Sequence, residues 1–145
     1  MNLELIFSLA GLLAMAGWLV LFASPLIPHW SDRISGYIIP IMLSAGYVTL
    51  ILFFPSEGEG GFGSLAEVID LFSNPTAMMA GWVHYLAFDL LIGAWMCRTA
   101  KRDGLSFWLV APCLPLTFLF GPAGFLAFSS VSIFGRAKAI QNLKS

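Results

Sequence analysis

Two ionisable side chains, His84 and Asp89, lie deep inside the apolar stretch 71–97, where ionisable residues are rare in membrane-spanning segments. If a helix covers 76–97, a rise of 1.5 Å per residue places both side chains within about 4 Å of its midpoint. A charge at mid-membrane costs about 2.5–3.5 kcal/mol on insertion scales. Each group must therefore be neutral or find a partner.

The spacing of these residues separates them around the helix. Five residues at about 100° each put His84 and Asp89 about 140° apart. Asp89 shares its face with Tyr85 and Trp82, whereas His84 lies near Phe88 and faces another helix. Two ligands that point apart do not form a metal site, so we predict no metal here.

Two interpretations of the pair are compatible with the sequence. In the first, the carboxyl group handles protons or binds a ligand in an apolar cavity, because apolar surroundings favour its protonated form and suit it to proton exchange. In the second, the pair only joins helices through hydrogen bonds. The candidate partners of Asp89 or His84 for such bonds are Ser44, Tyr47, Thr49 and Thr117.

The composition indicates the class of protein that holds His84 and Asp89. Of 145 residues, 59% are hydrophobic and 10% charged, against about 25% charged in soluble domains. This predicts a single integral membrane domain over 1–145. No stretch concentrates basic residues among aromatic ones, which excludes a nucleic-acid partner. Cys97 and Cys113 are too few for a disulfide scaffold and are predicted to be free thiols.

Four long runs with little or no charge each satisfy the length of about 20 residues that a membrane helix needs. A short segment between the second and third runs, SLAEVIDLF, has apolar residues at helical spacing and Ser64 three residues before Glu67, which is typical of a capped interfacial helix. The sequence therefore predicts an all-α, polytopic membrane protein. Its four transmembrane helices are expected at about 5–23, 37–54, 76–97 and 105–134, and its interfacial amphipathic helix at about 64–72.

The fourth run is too long for a simple crossing, because 105–134 would extend on the order of 45 Å as a straight helix. It also contains three prolines and two glycines, so we expect a kinked or broken helix: Pro112, Pro115, Gly121, Pro122 and Gly124. We expect a single kinked span, because each leg of a re-entrant hairpin that turns at Gly121–Pro122 would have only about 15 residues, which is short for a full crossing; the hairpin is the alternative. With a kinked span, four basic residues lie on one side of the membrane and three on the other, so the excess of Lys and Arg in cytoplasmic segments does not give the orientation. With the hairpin, all seven lie on one side.

Two blocks of sequence resemble a known family. The segment NPTAMMAGWVHYLAFDLLIGAW at 74–95 and the segment PCLPLTFLFGPAG at 112–124 are similar to the abscisic-acid-deficient-four-like, or neoxanthin synthase-like, membrane proteins. Together with SLAEVIDLF, the resemblance covers most of 64–124. It implies a small four-helix membrane protein associated with carotenoids. Plastid members are connected with conversion of the epoxide violaxanthin into the allenic neoxanthin, an isomerisation without redox change and with no obvious cofactor.

The resemblance also implies a chemistry for the singled-out residues. An epoxide isomerisation needs a base that removes a vinylic proton and an acid that opens the epoxide. Asp89 and His84 stand at positions that could supply them, with Tyr85 as a hydrogen-bond donor. The expected ligand-binding side chains are Trp82, Phe88, Thr117 and Phe118. The alternative is a non-catalytic binding or assembly protein in which His84 and Asp89 are structural contacts.

The location and partners follow from the same features. The first apolar run follows Met1-Asn2-Leu3-Glu4 with no positive region ahead of it, so we expect a retained helix and a multi-pass protein of a bacterial inner membrane, in contact with lipid. A polyene such as a carotenoid is the expected ligand. Small residues suit self-association into a homo-oligomer and packing within the monomer equally: Gly11, Ala14, Gly17, Gly36, Pro40 and Ser44.

Overall fold

A computed structural model describes residues 2–54 and 60–142, with side chains described as far as Gly135. Throughout these ranges the regular elements are helical and no strand is present. Four helices are long and apolar enough to cross a membrane, which confirms the predicted all-α, four-helix class: Leu3–Phe22, Pro28–Phe53, Pro75–Arg102 and Cys113–Gly135. The elements in chain order are α1 (Leu3–Phe22), α2 (Pro28–Arg33), a π-helical turn (Ile34–Ile38), α3 (Ile39–Phe53), α4 (Leu65–Ser73), α5 (Pro75–Arg102), α6 (Phe107–Val110) and α7 (Cys113–Asn142).

The second long helix begins at Pro28, nine residues before the predicted start at 37. Proline suits the first helical turn because its missing N–H would have no helical partner there. The π turn accommodates the next proline, Pro40. The N–H of Ile39 bonds to the carbonyl of Ile34, five residues back, so the helix widens just before a residue that has no N–H to donate.

The third long helix begins where the sequence predicts and ends five residues later, at Arg102 rather than at 97. The Asn74 side chain caps its start by accepting hydrogen bonds from the N–H groups of Thr76 at 2.9 Å and Ala77 at 3.3 Å. Two basic residues, Lys101 and Arg102, occupy its last turn, where the partial negative charge of the helix end favours cations.

The short helix predicted at about 64–72 is present as α4, Leu65–Ser73, and its interfacial location stays a prediction. The Ser64 hydroxyl caps it by accepting a hydrogen bond from the N–H of Glu67 at 3.3 Å, as its sequence predicts. None of its residues is buried. It nevertheless contacts α5, since the Phe72 ring lies where Gly81 has no side chain; a methyl group there would be 2.7 Å from Phe72 Cε1.

Helix α5 is the centre of the bundle, with α1, α3, α4 and α7 packed against it. The α1 helix runs parallel to α5: Phe7 stacks on Trp82 near one end, and Trp18 packs against Gly93 further along. The α3 helix runs antiparallel to α5. Its Tyr47 lies against His84, and Gly36, in the π turn that precedes α3, lies against Arg98.

Helix α7 is broken at Phe120, whose backbone angles of φ −143° and ψ 54° are not helical. The break is a sharp reversal, because Thr117 and Gly124 on its two sides touch: a side chain at 124 would collide with the backbone of Thr117. In a straight helix, residues seven apart would be separated by about 10 Å along the axis. The predicted kink is therefore confirmed.

The break at Phe120 divides this segment into two arms, and the contacts of each arm with α5 show its path. The first arm, which we define as residues 105–118, includes α6 and the start of α7, and it ends at Phe118, whose carbonyl group meets Tyr85 near the middle of α5. The second arm returns along α5, where Phe128 packs on Trp95, until Gly135 meets Leu105. Both ends of the segment therefore lie at the C-terminal end of α5. These contacts favour the re-entrant hairpin over the single kinked span that the sequence analysis expects, because the segment returns to the end of α5 from which it starts.

The hairpin gathers the basic residues at one end of the bundle, which we call the basic end. Arg33, Arg98, Lys101 and Arg102 lie there. The other three basic residues, Arg136, Lys138 and Lys144, follow Gly135 in the sequence. The acidic residues at 57–59, between α3 and α4 in the sequence, lie outside the described residues.

The small residues proposed for self-association are in part used within the monomer. A methyl group at Gly17 would lie 2.5 Å from Leu90 Cδ2, and one at Gly36 would lie 2.7 Å from Arg98 Nη1. Ala14 is buried as well. Gly11 has open space around it. Homo-oligomer formation stays a prediction.

We expect the basic end to face the cytoplasm, because cytoplasmic segments carry the excess of Lys and Arg. In a variant without Cys97 and Cys113, single cysteines at Ser64, at Lys101 and after Ser145 report the sidedness of each segment. A membrane-impermeant maleimide should label the Ser64→Cys protein in intact cells, and the other two only after lysis. If α7 crossed the membrane, the C-terminal cysteine would be labelled like Ser64→Cys.

Candidate functional site

The Asp89 carboxyl group lies against the break in α7. Asp89 is 7% exposed, and its Oδ2 atom has no hydrogen-bond partner in the part of the chain that the structure describes. The carboxyl group fills the space that Gly121 leaves open, since a methyl group at 121 would be 2.5 Å from Oδ1. An unpaired buried carboxyl oxygen is costly, and this makes Asp89 the first candidate for function.

Tyr85 connects Asp89 to the broken helix. Its hydroxyl group donates a hydrogen bond to the carbonyl oxygen of Phe118 at 2.7 Å. Pro122 stands four residues after Phe118 and has no N–H, so this carbonyl lacks the partner that a continuous helix would provide. The Tyr85 hydroxyl also interacts with the Asp89 carboxyl group. The structure thus brings Tyr85, Phe118 and Asp89 together.

Aromatic side chains surround this cluster. The Trp18 ring makes an edge contact with Phe118 at 5.6 Å between centroids, and Trp82 lies 5.4 Å from Tyr85. Trp18 comes from α1 and was not among the predicted site residues. Its position deep within the first apolar run is the only sequence signal for it, and that signal does not say which helix it meets.

His84 belongs to a different environment from Asp89. Its ring stacks on Phe88 at 4.5 Å between centroids and lies 5.5 Å from the Tyr47 ring of α3. The structure therefore does not bring His84 to Asp89, in agreement with their angular separation. The hydrogen bonds seen among the described residues include none from Asp89 or His84 to Ser44, Tyr47, Thr49 or Thr117; Thr49 donates instead to the carbonyl of Ala45 at 2.8 Å.

Thr117 is fully buried between the first arm of α7 and α5. Its hydroxyl group donates to the carbonyl of Cys113 at 2.8 Å and lies 3.6 Å from the sulfur of Met96. It lines neither the cavity between α3, α4 and α5 nor the one at the basic end, both described below. Thr117 therefore stabilises the packing of the hairpin, while Phe118 contributes a carbonyl group and a ring to the cluster around Asp89.

A cavity of about 790 Å³ opens between α3, α4 and α5, and we call it the apolar cavity. Its volume lies within the range of small-molecule sites. Tyr85 and His84 lie in its wall, so Tyr85 links the cavity to Asp89. The other residues that line it are Tyr47, Leu50, Ile51, Phe54, Phe62, Leu71, Phe72, Thr76, Ala77, Met78, Ala80, Gly81 and Trp82.

The fold and the site together define a class: a small polytopic helical membrane protein with a buried carboxyl group beside a broken helix and an apolar cavity one turn away. A family model described as ABA DEFICIENT 4-like matches residues 5–128, and the chain belongs to this ABA4-like family. The match includes Tyr85, Asp89 and the break at Phe120, and it confirms the resemblance. No curated protein and no solved structure matches the chain.

The Tyr85→Phe variant tests the hydrogen bond to Phe118. Loss of the hydroxyl group leaves the Phe118 carbonyl without its donor, so the free energy of unfolding should fall by about 1–2 kcal/mol. Chemical denaturation in detergent, followed by circular dichroism, measures it. The matched control is Tyr47→Phe, at a residue whose ring packs on His84. Its free energy of unfolding should fall by less than half as much. Equal losses of unfolding free energy in the two variants would show that the hydrogen bond from Tyr85 to Phe118 adds no more stability than the hydroxyl group of Tyr47.

Proposed function

We propose that this protein binds an elongated apolar polyene of the carotenoid type in the apolar cavity and isomerises it by acid–base chemistry at Asp89. The observation that carries the proposal is the Asp89 carboxyl group, which is buried, has an oxygen without a hydrogen-bond partner among the described residues, and contacts Tyr85 in the cavity wall. Membership of the ABA4-like family supports a ligand of the neoxanthin synthase type.

The walls of the apolar cavity suit a long polyene. Such a ligand has no charge, so its affinity comes from the apolar area that it buries against aromatic and aliphatic side chains. A few polar groups in the same wall can orient a hydroxylated end ring: His84, Tyr47 and Thr76. We therefore assign His84 to ligand binding. Its position away from Asp89 does not suit it to act as the partner of that carboxyl group on one reacting bond.

The reaction that the family suggests is balanced by proton transfer alone. The C–O bond of the 5,6-epoxide breaks and its oxygen takes a proton to become a hydroxyl group. The neighbouring vinylic carbon loses a proton, and the electron pair of that C–H bond forms the second double bond of the allene. No oxidant or reductant is consumed.

A single carboxyl group can perform both transfers. Neutral Asp89 gives the proton of one oxygen to the epoxide and receives the vinylic proton on the other, which returns it to its starting state. Tyr85 has one hydroxyl proton and donates it to Phe118, so we assign it to positioning Asp89. In this mechanism the reactive end of the ligand reaches Asp89 past the Tyr85 ring.

The Asp89→Asn variant tests the acid–base assignment. Asparagine keeps the size of the side chain but cannot exchange the proton in the same way, so isomerisation of a 5,6-epoxide xanthophyll should fall by at least about 100-fold. Conversion is followed by chromatography of the pigments. The matched control is Asp70→Asn on the exposed face of α4, which should retain the wild-type rate. A folded Asp89→Asn protein with the wild-type rate would contradict the assignment.

Pigment binding is measured on the same proteins. The wild type and Asp89→Asn, purified in detergent from a carotenoid-producing host, should both carry a structured polyene band in the visible spectrum. A non-catalytic binding or assembly role is favoured by one observation, the fit of Asp89 into the space beside Gly121 at the break. That role predicts a colourless protein, or a coloured one without conversion, in which Asp89→Asn lowers only the stability.

A further inference from the structure

A second cavity, of about 660 Å³, opens at the basic end of the bundle, and we call it the basic-end cavity. It lies between the α1–α2 connection and the last turns of α5, at the opposite end of α5 from the apolar cavity. Its lining differs in character, because it includes charged and hydroxyl side chains: Ser24, His29, Asp32, Arg98, Lys101 and Arg102. The proposed isomerisation makes no use of it.

The charges in this lining are predominantly positive. Arg98 pairs with Asp32 at 3.0 Å through Nη1 and lies 5.5 Å above the Tyr37 ring. A guanidinium group has five N–H donors, so this ion pair leaves Arg98 with further donors. Lys101 is exposed in the last turn of α5 and takes part in neither of the ion pairs seen among the described residues. Arg102 pairs with Asp103 at 3.1 Å.

Two tryptophans place the basic-end cavity at the level of lipid headgroups. Trp30 is 61% exposed beside His29, and Trp108 is 82% exposed just after Phe107, which lines the cavity. Exposed tryptophans on a membrane protein concentrate at the boundary between hydrocarbon and water. The opening therefore faces the region in which phosphate groups of phospholipids lie.

We propose that the basic-end cavity binds a phosphate-bearing anion, with the headgroup of an anionic phospholipid as its ligand. Lys101 and Arg98 would contact the phosphate, and the tryptophans would contact the adjoining glycerol and acyl region. Basic pockets between helices at the cytoplasmic side of a membrane bind such headgroups.

Native mass spectrometry of the full chain in neutral detergent tests this site. Phosphatidylglycerol is titrated against phosphatidylcholine with the same acyl chains, and phosphatidylglycerol should bind about tenfold more tightly. The Lys101→Gln variant should weaken phosphatidylglycerol binding about fivefold, as expected for one cation near an anionic surface. Because Lys101 is exposed, this substitution leaves the fold intact.

The matched control is Arg33→Gln, which removes an equal charge at the same end from an exposed residue that does not line the cavity. Its affinity for phosphatidylglycerol should stay within twofold of the wild type. Competition with excess inorganic phosphate distinguishes the sources of the anion. If phosphatidylglycerol stays bound, the site belongs to a lipid headgroup; if it is displaced, the site belongs to free phosphate. Equal affinity for the two lipids, or equal losses in Lys101→Gln and Arg33→Gln, would overturn the proposal.

Discussion

The hydrogen bond from Tyr85 to the carbonyl of Phe118 is the interaction on which the rest of the structure depends. Leaving a buried carbonyl group without a donor costs about 1–3 kcal/mol, and Pro122 removes the donor that a regular helix would supply. Tyr85 replaces it from α5. The broken point of α7 is thereby held against the centre of the bundle, which allows the second arm to return along the same helix.

The same contact creates the candidate site. With the break held at Tyr85, Gly121 lies beside Asp89, and the absence of a side chain there leaves room for the carboxyl group. Asp89 is thus enclosed by a helix end rather than by lipid. On the other side of α5, His84 lies in the wall of the apolar cavity. One helix therefore separates the buried Asp89 carboxyl group from the apolar cavity, and Tyr85 lies between them.

Much of this arrangement could be predicted because it depends on local sequence. Apolar runs, the Ser64 cap and the prolines of the fourth segment predict the four long helices, the short helix α4 and the break in α7. The spacing of Tyr85, Asp89 and His84 fixes which of them share a face of α5, since the helical period alone decides it. These features need no knowledge of the neighbouring helices.

The remaining features depend on contacts between helices that are far apart in the sequence. The predicted helix bounds leave 24–36 as a connection, but the second helix starts at Pro28 and runs through Asp32, which pairs with Arg98, 66 residues away. The prolines and glycines of α7 are equally compatible with a kinked span, so the hairpin depends on contacts such as Gly124 with Thr117. The sequence offers Thr117 as a hydrogen-bond partner for Asp89 or His84 and as a ligand-binding residue; in the structure its hydroxyl group donates to the carbonyl of Cys113.

The distance between the two arms of α7 tests the account most directly. Spin labels on Ser106→Cys and Ile133→Cys, both exposed and next to the Leu105–Gly135 contact, can be introduced after Cys97 and Cys113 are replaced. Electron paramagnetic resonance on the protein in lipid nanodiscs should give a separation below about 20 Å, as expected for neighbouring packed helices. A separation of about 40 Å, the length of 27 residues of continuous helix, would contradict the fold-back and the site built on it.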